Sequence, residues 1–126
     1  MNDQQMIANR YAAWIKAFNG RDLDALIRFY SDEVVLNPPG GAELAGREAT
    51  REWIGRFFEN NQARQTQVTE EVEAFGEWAY LRGRFEIELS QRRTGPFETI
   101  RGAHIMIWKR DGGGAWEIYR DIWNLT

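Results

Sequence analysis

The spacing of apolar residues, which switches from helical to extended about halfway along, constrains this chain more than any other feature. From Ile7 the large apolar side chains fall at Ile7, Tyr11, Trp14, Ile15 and Phe18, one stripe of an α-helix. Asn19-Gly20 is expected to end that helix, with Gly taking the left-handed conformation that closes it. Asp22 then caps a short second helix whose face is Leu23, Leu26, Ile27 and Tyr30. Val34-Val35-Leu36 reads as a short strand. It is stopped by Asn37-Pro38-Pro39-Gly40-Gly41, because successive prolines withhold backbone donors. After Gly46 a third helix presents Ala49, Trp53, Ile54, Phe57 and Phe58.

From about Gln65 the period is two. Gln65 to Phe75 reads as one strand and Trp78 to Leu89 as another. In the latter, Ala79, Leu81, Gly83, Phe85, Ile87 and Leu89 share one face, and Tyr80, Arg82, Arg84, Glu86 and Glu88 share the other. Burying that charged set together would be costly, so the apolar set is expected to face inward. Thr94-Gly95-Pro96 breaks the chain. Glu98 to Arg110 and Trp116 to Leu125 are two long strands joined by Asp111-Gly112-Gly113-Gly114. A phosphate-binding loop would need a helix after those glycines, whereas Trp116-Glu117-Ile118-Tyr119 alternates as a strand; the run is a hairpin tip. Helices followed by a four-stranded antiparallel meander make an α+β domain, one domain over 1–126, with its helices on one sheet face.

Composition narrows the function classes. The net charge is -3, with acids and bases interspersed, so the basic stripe of a nucleic-acid binder is missing. Arg51, Arg56, Arg64, Arg92, Arg93 and Arg101 are spread among acids and read as solubilising. With no cysteine and one histidine, disulfides, thiolate chemistry and the usual metal-ligand sets are not expected. The first residues lack the pattern of a signal peptide and no apolar run is long enough to span a bilayer, so a cytoplasmic protein with no membrane partner is expected. Six Trp, seven Phe and four Tyr suit either a dense core or an aromatic-lined pocket.

Several segments taken in order resemble the NTF2-like superfamily, in its SnoaL-like and ketosteroid-isomerase-like branch. They are Phe18-Asn19-Gly20-Arg21-Asp22-Leu23-Asp24-Ala25-Leu26, Tyr30-Ser31-Asp32-Glu33-Val34 and Leu44-Ala45-Gly46-Arg47-Glu48-Ala49. Ile107-Trp108-Lys109-Arg110, Trp116-Glu117-Ile118 and Asp121-Ile122-Trp123-Asn124 complete the series. The resemblance implies a cone: three N-terminal helices packed on a curved mixed or antiparallel sheet that encloses a pocket, in a homodimer joined through the sheet. Steroid isomerases of the family use a helical tyrosine, an aspartate base and a protonated aspartate. Carried over by spacing, those positions fall on Trp14, Asn37 and His104. Asn cannot take a proton from carbon and Trp offers only an N–H donor, so the resemblance implies the pocket and not that reaction. Limonene-type epoxide hydrolases of the family pair Arg and Asp two apart on a strand with a second Asp and an Asn. Arg84, Glu86, Asp121 and Asn37 resemble that set, with Val35 where the family has a tyrosine.

His104, the only histidine, is the one side chain whose ordinary pKa suits proton transfer near neutrality. Pairing across the hairpin tip is expected to set it roughly opposite Asp121, whose carboxylate would raise its pKa. By alternation Tyr119, Asp121 and Trp123 share a face, which the resemblance aims into the pocket. A buried His–Asp hydrogen bond serving only the core would look the same from sequence. Asn37 could orient a ligand or simply serve the turn before Pro38. Tyr11, Trp14, Trp53 and Phe57 are pocket wall or core.

Three functions follow. The first is a cofactor-independent isomerase, cyclase, dehydratase or hydrolase acting on a small apolar organic molecule through His104 and Asp121. The second is a non-catalytic binder using the same pocket. The third is an assembly module joined by its outer sheet face, where Arg82, Arg84, Glu86 and Glu88 would pair across a two-fold axis. An open pocket of several hundred Å³ would favour the first two. One packed shut by Trp14, Trp53 and Phe57 would favour the third.

Overall fold

In a computed structural model, residues 1–91 and 95–126 are described; Arg92, Arg93 and Thr94, the first residue of the expected chain break, lie outside them. The first helix, α1 (Asp3–Asn19), starts earlier than its apolar stripe suggests. Asn2 caps it, accepting from the Gln5 N–H while the Gln5 side chain accepts from the Asn2 N–H. Its end corrects the expectation placed on Gly20, which stays right-handed at φ -82°. The left-handed residue is Arg21, at φ 56°. The N–H groups of Arg21 and Asp22 bond back to the carbonyls of Phe18 and Ala17, the pattern of a Schellman cap. Arg21 holds this conformation because its guanidinium donates to the carbonyls of Phe58 and Asn61, tying the end of α1 to the end of the third helix.

Asp22 caps α2 (Leu23–Ile27), its side chain accepting from the Ala25 N–H at 3.1 Å. Tyr30, expected on that helix, instead opens strand β1 (Tyr30–Asn37). A two-residue strand β2 (Leu44–Ala45) precedes α3 (Arg47–Asn60), which begins after Gly46 at φ 95°. Strands β3 (Gln62–Phe75), β4 (Trp78–Ser90), β5 (Glu98–Arg110) and β6 (Trp116–Leu125) then run as the period-two pattern requires. The β5–β6 turn forms as a hairpin tip. Asp111 Oδ1 accepts from the N–H groups of Gly113 and Ala115, and Gly114 takes φ 88°.

The sheet has six strands in the order β2-β1-β6-β5-β4-β3. The meander β3 to β6 is antiparallel as expected, but β1 joins it parallel to β6, so the sheet is mixed. It stays unclosed and curves around the helices, the cone expected of an α+β NTF2-like chain. Leu81, Met106, Trp108, Trp116 and Ile118 meet Ile7, Tyr11, Leu26 and Ile54 in the core. Two glycines make room for rings on the concave side. A side chain on Gly102 would collide with Phe85, its partner across β4–β5, and one on Gly83 would press on Nε2 of its partner His104.

The charged face of β4 points outward. Arg82 pairs with Glu71, Arg84 with Glu70 and Arg101 with Glu86 within the chain. The set resembling an epoxide hydrolase therefore does not gather, because Arg84 and Glu86 lie on the convex side of the sheet.

Candidate functional site

Between the helices and the concave sheet lies a cavity of about 100 Å³. It is smaller than the several hundred Å³ of an open pocket, because aromatic rings interlock across it. Trp14 stacks on Phe18 at 5.4 Å, Phe18 meets Phe57 at 5.9 Å, and Trp53 meets Trp123 at 5.9 Å. Helix α1 contributes Tyr11, Trp14 and Phe18 at helical spacing, and α3 contributes Trp53, Ile54 and Phe57. The sheet adds Tyr30 and Leu36 from β1, then Gln65, Phe85, His104, Asp121 and Trp123 from β3 to β6.

Most of the residues expected at the site are brought together there: Tyr11, Trp14, Trp53, Phe57, His104, Asp121 and Trp123. Tyr119 and Asn37 are not. A β-bulge in β6 explains the first. Trp108 pairs with Ile118 but Ile107 with Arg120, so Tyr119 is an extra residue and the alternation shifts by one. Trp116 and Ile118 point inward before the bulge, and Asp121 and Trp123 after it. Tyr119 packs outside against Trp78 at 5.2 Å, with Lys109 over both rings. Asn37 follows the inward Leu36 and pairs with Ile122, which is 56% exposed, so it faces away from the cavity.

The bulge also corrects the expected pairing of the imidazole with the carboxylate. His104 lies opposite Trp123, and Asp121 lies opposite Met106. His104 is 5% exposed, and its Nε2 stands 3.4 Å from the Tyr11 hydroxyl. Instead of being raised by a carboxylate, its pKa is lowered by burial to about 4, so the ring is neutral at ordinary pH.

Asp121 is the more unusual group. Its Oδ1 is sealed from solvent and has no hydrogen-bond partner among the described residues. Among the described residues no cation stands beside it to offset the cost of burying a charge, and burial pushes its pKa up to about 8. Near neutral pH it is a carboxylic acid whose proton is uncommitted. Tyr30 and Tyr11 share this end of the cavity, and both phenols are held above their ordinary pKa, first by burial and then by Asp121. Tyr30 is itself fixed by Trp14, whose Nε1 donates to its hydroxyl at 3.0 Å. The titratable groups lining the cavity are therefore all neutral. Among the described residues no group of His, Asp or Glu is placed to hold a metal ion.

Sequence reasoning passed over Tyr30, Gln65, Phe18, Leu36, Ile54 and Phe85 as lining residues. For Tyr30 the signal was misassigned, since its spacing from Leu26 and Ile27 suits a helix face. For Phe85 the inward alternation of β4 already carried it.

A model of the SnoaL-like domain family matches residues 11–117, and the chain belongs to that family. Comparison with curated proteins finds no match. Among solved structures it is similar to a ketosteroid isomerase-like protein from Erwinia carotovora atroseptica, with TM-score 0.91 and 23% identity over 100% of this chain and 98% of that one. A conserved protein from Planctomyces limnophilus gives TM-score 0.88 and 22% identity over 97% and 96%. An NTF2-like protein with a cystatin-like fold from Novosphingobium aromaticivorans gives 0.81 and 18% over 97% and 80%. These likenesses establish the fold. No helix of the described residues is long and apolar enough to cross a membrane.

Proposed function

We propose that this SnoaL-like chain is a cofactor-independent proton-transfer enzyme of the isomerase or dehydratase kind, acting on a small uncharged organic molecule. The observation that carries this reading is the Asp121 carboxyl, unpartnered at Oδ1 inside an aromatic cavity. A neutral acid in that position donates to a substrate oxygen, while a neutral imidazole in the same cavity accepts a proton from carbon. For an isomerase, His104 removes an acidified C–H proton as Asp121 hydrogen-bonds the carbonyl oxygen, and the proton returns to another carbon. For a dehydratase, Asp121 protonates a β-hydroxyl that leaves as water, and the proton taken by His104 passes back to Asp121 to reset the site. The cavity's volume suits a ligand of about one ring, and an ionised ligand would find no countercharge among the lining side chains. The name of the Erwinia neighbour is in keeping with this reaction class.

The test is turnover of a panel of small monocyclic enones and β-hydroxy ketones, with binding followed separately by tryptophan fluorescence. His104→Gln is expected to lower kcat by about 100-fold or more while leaving Kd within about threefold, the size of effect usual for losing a positioned base. Equal turnover in both proteins would leave a non-catalytic binder, the competing use of the same cavity.

We also propose that two copies pair through the convex sheet face. Ile105 and Ile122 lie opposite each other there, 45% and 56% exposed, with Ile107 beside them at 37%. Arg82, Arg84 and Arg101 on the same face are neutralised within the chain, so apolar contact more than ion pairing would hold the dimer. Sedimentation at micromolar concentration is expected to give a dimer for the unaltered chain and a monomer for the double variant Ile105→Glu, Ile122→Glu. A monomeric unaltered chain refutes the pairing.

A further inference from the structure

Gln65 is a buried polar residue that the proposed chemistry does not use. It is 5% exposed and lines the cavity from β3. Its backbone is clamped from both sides by one side chain: Asn19 Oδ1 accepts from the Gln65 N–H at 2.7 Å, and Asn19 Nδ2 donates to the Gln65 carbonyl at 2.9 Å. With its main chain satisfied by Asn19, Gln65 keeps its side-chain amide free of any hydrogen-bond partner among the described residues. Its amide is not among the side-chain groups sealed from solvent, so it is open to the cavity and available to a hydrogen-bonding group there.

Its position along the cavity is set by α1. Asn19, which grips Gln65, is one residue beyond the lining Phe18. Tyr11, which meets His104, lies two helical turns earlier. At the rise of an α-helix those two levels are roughly 12 Å apart. The cavity thus has two polar ends joined by an aromatic middle of Trp14, Phe18 and Phe57. Tyr11, Tyr30, His104 and Asp121 form one end, and the Gln65 amide forms the other.

From this arrangement we infer that Gln65 is a specificity-determining residue, reading a hydroxyl or carbonyl at the far end of a ligand whose first oxygen is held at Asp121. The inference rests on the small-molecule reading of the cavity and adds to it the substrate class: a slender ring compound with uncharged oxygen functions at opposite ends. An amide can both donate and accept, so it takes either a hydroxyl or a carbonyl. A site built around such a bond discriminates strongly against the analogue with a methyl in that place.

The experiment uses two probes of nearly equal shape, 4-(2-hydroxyethyl)phenol and 4-propylphenol, titrated against the intact chain by tryptophan fluorescence. Gln65→Met keeps the length of the side chain and removes the amide. It is expected to weaken the hydroxyethyl compound about tenfold and to change the propyl compound by less than about twofold. Gln65→Glu, which keeps an oxygen at the same reach, is expected to retain more of the hydroxyethyl compound's binding than Gln65→Met does, and it guards against a misfolded Met variant. Equal loss of both probes in the two variants, no loss of either, or no binding of either probe by the unaltered chain at millimolar concentration overturns the inference. Turnover plays no part in the readout. A chain that shows the expected selectivity but converts nothing defeats the catalytic reading and leaves the role of Gln65 standing.

Discussion

Asp121→Asn is expected to abolish a loss of folding stability that the unaltered chain shows between about pH 6.5 and 8. Burial raises the Asp121 pKa from 3.8 to about 8, so across that interval the folded chain keeps a proton that the unfolded chain has released. Rising pH then favours unfolding, by up to about 1.4 kcal/mol per pH unit. His104 works in the opposite sense. Its pKa falls from 6.5 to about 4, so between those values the unfolded chain holds the extra proton and rising pH favours folding. The two slopes cancel up to about pH 6.5, and beyond it only the Asp121 slope remains, amounting to about 2 kcal/mol by pH 8. Urea midpoints across the pH range check this. The unaltered chain should weaken over the upper part of the range, the Asn variant should not, and His104→Gln should weaken from about pH 4 upward. A flat profile for the unaltered chain would mean that the carboxyl is not held neutral, and the acid role proposed for it would go too. Asn cannot deliver a proton, so turnover is expected to fall in the same variant even where the fold gains stability.

Gly102→Ala is expected to cost about 3 kcal/mol or more, the upper range for forcing volume into a packed interior. A Cβ at Gly102 would lie 2.2 Å from the Asn124 carbonyl oxygen and 2.3 Å from Cζ of Phe85. A flexible side chain could move aside, but the carbonyl belongs to β6 and cannot shift without disturbing the β5–β6 ladder. Thermal unfolding should show a fall of about 10 °C or more. Gly112→Ala is the control, since nothing lies within 4 Å of a Cβ placed there, and it should leave the midpoint nearly unchanged. Comparable midpoints for the two variants would contradict the close packing of Phe85 over Gly102.

Much of the architecture was legible because period and punctuation are local. β5 and β6 begin and end where alternation and the Asp111 turn place them, and the inward face of β4 follows from the cost of burying four charges. What escaped the sequence depends on contacts between distant segments. Tyr30 joins a strand rather than extending α2 because β6 lies alongside it, with the Ile118 N–H donating to the Phe29 carbonyl. The bulge at Tyr119 leaves no mark in an alternating string of Tyr, Arg, Asp, Ile and Trp, yet it changes which of them face the cavity. Gln65 sits in a run of polar residues, and only the grip of Asn19 distinguishes it from its neighbours. Asp121 was legible as a residue facing the cavity, but its separation from His104 was not, because that follows from register.

The parallel seam between β1 and β6 has a kinetic meaning. Leu36 neighbours Asp121 across that seam, with most of the chain lying between them in sequence. Hairpins can close early from nearby residues, whereas this pairing must wait for a long loop to be drawn together, which slows folding. A refolding chain with β3 to β6 already zipped would still show its concave face to water. Asp121 would be shut away from water only when the early strand docks, so recovery of ligand binding should trail recovery of sheet structure.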